Sequence, residues 1–187
     1  MALIVRNTRG QFTKILFPLT DIVFNKFSTK IIKQAQQNLK NKKKGNGKLY
    51  KSLRADVLQK KNDFILRFFS TDYGDFVDQG VSGTKRKISG TKYKYTNKIP
   101  PPTILGNWAS KKGLRGRDKK GRFITKKSLG FAIAYSIFYK GLDRTLFYTD
   151  AFKKFYNSKF INDVETAFAE DMENIIANEL QSEFDKT

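Results

Sequence analysis

Between Thr84 and Lys127 the chain sets fifteen Lys/Arg side chains against one acid, Asp118, a net charge of +14 over 44 residues. Such a run cannot collapse into an ordinary core, because clustered like charges repel and need counter-charge or water. Residues 40–61 repeat the theme with nine bases and the single acid Asp56, net +8. Residues 163–187 reverse it, with eight acids against Lys186, net −7. The basic middle and the acidic end therefore face different partners, or each other.

The full chain of 187 residues carries 37 Lys+Arg and 17 Asp+Glu, net +20, with no His and no Cys. That length fits one domain with arms or tails attached. An apolar fraction of 39% with 17 Phe and 8 Tyr is enough for a packed core. The lack of Cys excludes a disulfide scaffold, a thiolate nucleophile and Cys-ligated zinc. The lack of His removes the commonest general base and transition-metal ligand. No run approaches the ~18 apolar residues that span a bilayer, so no membrane partner is expected. Met1 to Val5 is apolar but is followed at once by Arg6 and Arg9, the wrong order for a secretory signal. A soluble chain made in the cytoplasm is the expectation.

Periodicity predicts an α+β fold, a small antiparallel β-sheet flanked by amphipathic helices, with long basic loops and a C-terminal acidic helix. Residues 1–18 form an N-terminal arm. Residues 19–160 form the α+β domain, with basic loops at 82–98 and 114–127, and 161–187 form the acidic helix and tail. Within the domain, Thr20 and Asp21 cap a helix over 19–39 on which Ile22, Val23, Phe27, Ile31, Ala35 and Leu39 recur. The basic turn Lys42–Gly47 ends it, and Leu49 and Leu53 mark one short helical turn. Ala55–Lys60 and Asp63–Thr71 pair as a hairpin closed near Lys61-Asn62, with Phe64, Leu66 and Phe68 on one face. Tyr73–Gly80 is a helical turn ended by its glycine.

Residues 82–98 lack an apolar period and read as a mobile loop. After Pro100-Pro101-Pro102, Thr103 caps a helix through Lys112 that buries Ile104, Leu105, Trp108 and Ala109. Ser128 caps an apolar helix through Lys140, ended by Gly141. Asn162–Phe184 carries Val164, Phe168, Met172, Ile175, Ile176 and Leu180 on one stripe, with its acids opposite, as a surface helix.

Candidate contacts to DNA or a protein partner are Lys85, Arg86, Lys87, Lys92, Lys94, Arg115, Arg117, Lys119, Lys120 and Arg122. Both loops are expected to stand outside the core as arms that order against a partner. Tyr93 and Tyr95, interleaved with Lys92 and Lys94, have the pattern of base-stacking platforms, of protein contacts or of simply exposed rings. Asp72, Asp75 and Asp78 recur three apart on one helical turn without enclosing a cation; pairing with Lys/Arg or capping a helix is the expected role. Arg9–Lys14 echoes Lys120–Lys126 as two tight Gly turns or two basic tips. There is no Walker-type loop, nucleophile elbow or dinucleotide fingerprint. No catalytic residue, cofactor or metal is expected.

Gly47-Lys48-Leu49-Tyr50-Lys51-Ser52-Leu53, a hairpin, then Asp72-Tyr73-Gly74-Asp75-Phe76-Val77-Asp78-Gln79-Gly80-Val81-Ser82-Gly83 form an ordered series. It resembles the tail-completion, or head–tail connector, ring proteins of the tailed-bacteriophage neck. Gly74 stands where that pattern has Ala, Phe76 where it has Tyr and Asp78 where it has Glu. The segments 104–114 and 131–147 resemble later stretches of related neck proteins, so the likeness spans roughly residues 20–180. It implies a non-enzymatic subunit of the portal–tail junction in an α+β fold, joining head and tail around the DNA channel. The implied partners are copies of itself in a homo-oligomeric ring, the portal, adjacent tail or neck rings, and packaged double-stranded DNA in the channel. The implied location is the virion, after assembly in the host cytoplasm. From the charge alone the competing reading is a basic nucleic-acid-binding protein, ribosomal or histone-like.

Overall fold

Pro18 opens the longest of the helices before the hairpin, α1 (Pro18–Asn41), in a computed structural model that describes residues 3–6, 12–15, 17–42, 47–60 and 63–185. Proline suits the first helical position because the N–H it lacks would have no partner there. The cap expected from Thr20 and Asp21 is not made, since both lie inside the first turn. A carboxylate from the far end of the chain does that work. Asp171, on the C-terminal helix α7 (Ser158–Phe184), accepts the Leu19 N–H at 3.1 Å through Oδ1. Its Oδ2 accepts the Thr20 N–H and hydroxyl, each at 2.8 Å. Asp171 is only 2% exposed, so its charge is held by the N–H groups that a helix start leaves open.

The chain forms two units, residues 1–71 together with 147–187, and residues 72–146. In the first, strands β1 (Leu3–Arg6) and β2 (Phe12–Ile15) pair antiparallel within the segment expected to be an arm. The echo at Arg9–Lys14 lies largely outside the described residues, as do the cores of the basic turn after α1 and of the hairpin turn at 61–62. Helix α2 (Lys48–Ser52) leads into the hairpin of β3 (Arg54–Gln59) and β4 (Phe64–Phe69), antiparallel in the register Arg54↔Phe69 to Gln59↔Phe64.

The α1 stripe is buried at Phe27, Ile31, Ala35 and Leu39 and meets Phe147 and Ala151 of α6 (Phe147–Phe155) and Ala167 of α7 in one core. Aromatic rings line this core. Phe27 and Phe160 stack at 3.7 Å, Phe24 and Phe64 at 5.1 Å, and Phe17 and Phe168 at 5.2 Å. Phe68, on the same strand face as Phe64, meets Tyr148 at 5.1 Å. One face of the first half of the acidic helix packs on this core through Phe160, Ala167 and Asp171, and the boundary expected at residue 161 falls inside α7.

The second unit holds α3 (Gly74–Gln79), β5 (Val81–Ser82), α4 (Pro102–Lys111), α5 (Lys126–Lys140) and β6 (Gly141–Leu142), with β5 and β6 antiparallel. Thr145 and Leu146 donate their N–H groups to the Asp78 carbonyl and so cover the end of α3. Helices α4 and α5 run antiparallel and close on their smallest residues. A Cβ on Gly130 would strike the Pro102 carbonyl and come to 3.0 Å from Gly106 N, and one on Gly106 would reach the Lys126 carbonyl at 2.7 Å. Ala109 and Ala134 are the fully buried side chains beside them.

This approach explains a reversal. Ile104 and Trp108, expected in the core, are 65% and 47% exposed, because the glycine–alanine faces meet and turn the large side chains outward. Thr103 and Ser128 are not the caps expected; α4 starts after Pro101 with no side-chain cap, and the Thr125 hydroxyl accepts the Ser128 N–H at 3.1 Å. Together the helices and short antiparallel pairs make an α+β fold. Among the described residues no helix is long and apolar enough to cross a membrane.

Candidate functional site

All ten candidate contact residues are exposed and all belong to the unit 72–146, which has seventeen Lys/Arg against five acids, net +12. They do not form one site. Lys85, Arg86, Lys87, Lys92 and Lys94 lie in the loop tied to the end of α5, where Lys85 donates its N–H to the Tyr139 carbonyl. Arg115, Arg117, Lys119, Lys120 and Arg122 lie at the other end, where Gly116 sits against Leu129. The fifteen residues of α5 hold the two clusters roughly 20 Å apart at ~1.5 Å per residue.

The loop 82–98 is fastened, contrary to the mobile arm expected. Ser82 donates its N–H to the Tyr93 carbonyl and its own carbonyl accepts the Tyr95 N–H, both at 2.9 Å, so residues 93–95 extend the β5–β6 pair. The Ser82 hydroxyl accepts the Ile88 N–H at 3.0 Å and the Thr91 hydroxyl donates to the Gly80 carbonyl at 2.8 Å. Two charged side chains just past β6 clasp the outside of the loop. Asp143 pairs with Arg86 at 2.7 Å, and Arg144 donates to the Ser89 carbonyl at 3.0 Å. A low-complexity segment hides these ties from periodicity, since its partners are backbone groups and residues about 55 positions away.

Residues 114–127 also hold a built element, a short hairpin. Arg117 pairs with Phe123, and Asp118-Lys119-Lys120-Gly121 turns between them, the Gly121 N–H reaching the Asp118 carbonyl at 3.0 Å. Gly121 has φ +79 with open space around it, a backbone state a side chain resists. Asp118 organises the tip. Its Oδ1 accepts the N–H groups of Lys120 and Arg122 and its Oδ2 accepts Arg122 Nε, each at 2.9 Å. The Arg122 N–H foremost, helped by the Arg122 guanidinium and the Lys120 N–H, holds this carboxyl below the usual carboxylate range, against the opposing effect of burial.

The Arg117 guanidinium lies 4.0 Å over the Phe123 ring and that of Arg115 at 5.6 Å, so two cations lie close to one exposed ring. Lys119 and Lys120 make no side-chain hydrogen bond or ion pair among the described residues. Asp-x-x-Gly was the available signal for this turn, with the acid at the position that bonds its own backbone two residues on.

Tyr93 and Tyr95 are not open platforms. Both are half-buried, Tyr93 edge-on to Phe76 at 4.5 Å and Tyr95 facing Phe138 at 6.2 Å, and burial pushes the Tyr95 phenol up. Asp72 and Asp75 are exposed while Asp78 is buried, so the trio does not share a face. Among the described residues no three acidic side chains are placed to hold a metal ion.

No family model, curated protein or solved structure matches this chain.

Between the two basic clusters α5 presents Phe131, Tyr135 and Tyr139, exposed at successive turns, with Tyr135 and Tyr139 stacked at 6.0 Å. Sequence reading placed this helix as apolar without finding that face. Gly130-x-x-x-Ala134 was the signal, since small residues four apart fix which side of the helix approaches its neighbour.

Proposed function

We propose that this chain is a non-enzymatic structural subunit of a phage portal–tail junction, a tail-completion or connector ring that joins head and tail around the DNA channel. The observation that carries this reading is the division of the exposed surface. The unit 72–146, net +12, exposes large apolar side chains on α4 and α5, and α7 exposes Phe168, Met172, Ile176 and Leu180 among its acids. Exposed apolar rows beside segregated charge mark surfaces built to be covered by protein. Support also comes from α2, the β3–β4 hairpin and α3 standing on the motifs that resemble neck proteins. In a ring, head-to-tail contacts between unlike surfaces close the circle, and the portal and neighbouring rings cover the rest. The Lys/Arg tips then face DNA in the channel, which must be passed without being read by sequence, or acidic patches on the adjoining rings.

Light scattering across a concentration series, with electron micrographs of the same sample, tests the reading in the virion-derived or purified protein. The expected result is a discrete ring. The competing reading, a nucleic-acid-binding protein, draws on exposed Phe123 close to both Arg115 and Arg117. It predicts a monomer with salt-sensitive affinity for nucleic acid and no ring in any preparation.

A further inference from the structure

Helix α7 changes character along its length. It runs antiparallel to α1, with Phe160 against Phe27 and Asp171 at the α1 start beside Leu19 and Thr20. Beyond that cap the helix passes the N-terminus of α1, and every residue from Ile176 to Asp185 is exposed. The segment 176–184 is about 13 Å long at ~1.5 Å per residue. It continues α7 past the part that packs on α1, and tertiary packing is what supplies most of a helix's stability in a folded protein. Yet it places Ile176 and Leu180, 51% and 56% exposed, in line with Phe168 and Met172 at steps of four. Residues 163–185 hold eight acids and no base.

The same chain carries a surface of matching period and opposite charge. On α5, Phe131, Tyr135 and Tyr139 follow Lys127 at steps of four, and Lys85 lies 4.6 Å over the Tyr139 ring. Both rows are exposed within one chain. An acidic helix does not seat against DNA, which leaves a basic protein surface as its complement. We infer that the exposed row of α7 in one copy docks along the aromatic row of α5 in a second copy, a heterologous contact that repeats around a ring. Apolar side chains mesh along the two rows, while Glu173 and Glu179 approach Lys127, Lys140 and Lys85.

This inference rests on the ring reading above and names its contact. The native chain has no Cys, so single cysteines report cleanly. Ile176→Cys and Tyr135→Cys, made separately in the full chain, are mixed and treated with a bis-maleimide, one variant carrying a tag that sets the mixed dimer apart by mass. Far-UV circular dichroism checks that each is folded. The expected product is the mixed dimer, several-fold above either homodimer, and it fades between 0.1 M and 1 M NaCl as the Debye length falls from about 10 Å to about 3 Å. Dominance of the Ile176→Cys homodimer would show α7 pairing with itself and overturn the contact. A ring in the micrographs with no mixed dimer would overturn the contact and leave the ring reading standing. A monomer in every preparation would overturn both.

Discussion

Asp171 shows how much one side chain can decide. It is a buried carboxylate whose three accepted hydrogen bonds all go to the first turn of α1. Removing it strands two N–H groups and a buried hydroxyl, so Asp171→Ala should destabilise the unit 1–71/147–187 by about 2–4 kcal/mol. Asp171→Asn should recover little, because an amide turns one acceptor into a donor that faces donors. Thr20→Val, which deletes only the hydroxyl, should cost about 1 kcal/mol. Urea denaturation read through α1 orders the three; equal costs would mean that the carboxylate is a bystander. Gly130 is the counterpart in the other unit. Alanine there gains about 1 kcal/mol of helix propensity but forces α4 and α5 apart at the Pro102 carbonyl. Overpacking costs of about 1–3 kcal/mol put the balance on the destabilising side. A raised denaturation midpoint for Gly130→Ala would refute the close approach.

Among the elements, the hairpin at 115–123 makes the sharpest chemical statement. The carboxyl of Asp118 is held below its ordinary range, so the order it confers is complete above the ordinary value, near 3.9, and is lost as pH falls through the lowered one. A carbon-detected titration should place its midpoint below about 3.9, and Asp118→Ala should abolish amide protection at Lys120 and Arg122 at neutral pH. Arg122 braces the turn, whereas Lys119 and Lys120 are free to meet phosphate. Replacing both lysines by Ala should lower the salt exponent of duplex DNA binding by up to about 1.8, equally for all sequences. An unchanged exponent would put the tip against protein.

Such elements divide by how their signal is written. The α1 stripe and the alternation of Phe64, Leu66 and Phe68 were legible because one face of each meets the core of its own unit. The rows on α4 and α7 were also periodic and misled, since period marks an apolar face without saying what covers it, and α5, apolar on most sides, showed no row at all. Ile104 and Trp108 read as core for that reason, and Gly106 and Gly130 held the correction. The ties of 82–98 were illegible because they run through backbone groups and single side chains distant in sequence.

At the scale of the whole molecule, charge is sorted by unit. Residues 72–146 hold +12 of the net +20, and the acids are concentrated on α7. Cutting the chain after Ile175 keeps the Asp171 cap and removes the exposed overhang. Denaturation of that variant should stay within about 0.5 kcal/mol of the full chain while its self-association is lost. Cutting after Phe160 removes Ala167 and Asp171 and should unfold the unit that contains them. If both truncations unfold alike, the overhang is core.

The unit 1–71/147–187 is also split in sequence by the 75 residues of the other. During synthesis α1 leaves the ribosome well before α6 and α7, whose rings and cap complete its surroundings. At roughly 5–20 residues per second the delay from Asn41 to Phe147 is about 5–21 s, long beside the microseconds in which a helix forms. Through that interval Phe64 of the hairpin can cover Phe24, but Phe27 lacks the Phe152 and Phe160 rings, while residues 72–146 are free to fold first. The order of translation therefore sets how long Phe27 waits for its partners, and chaperone dependence should track the interval between Asn41 and Phe147.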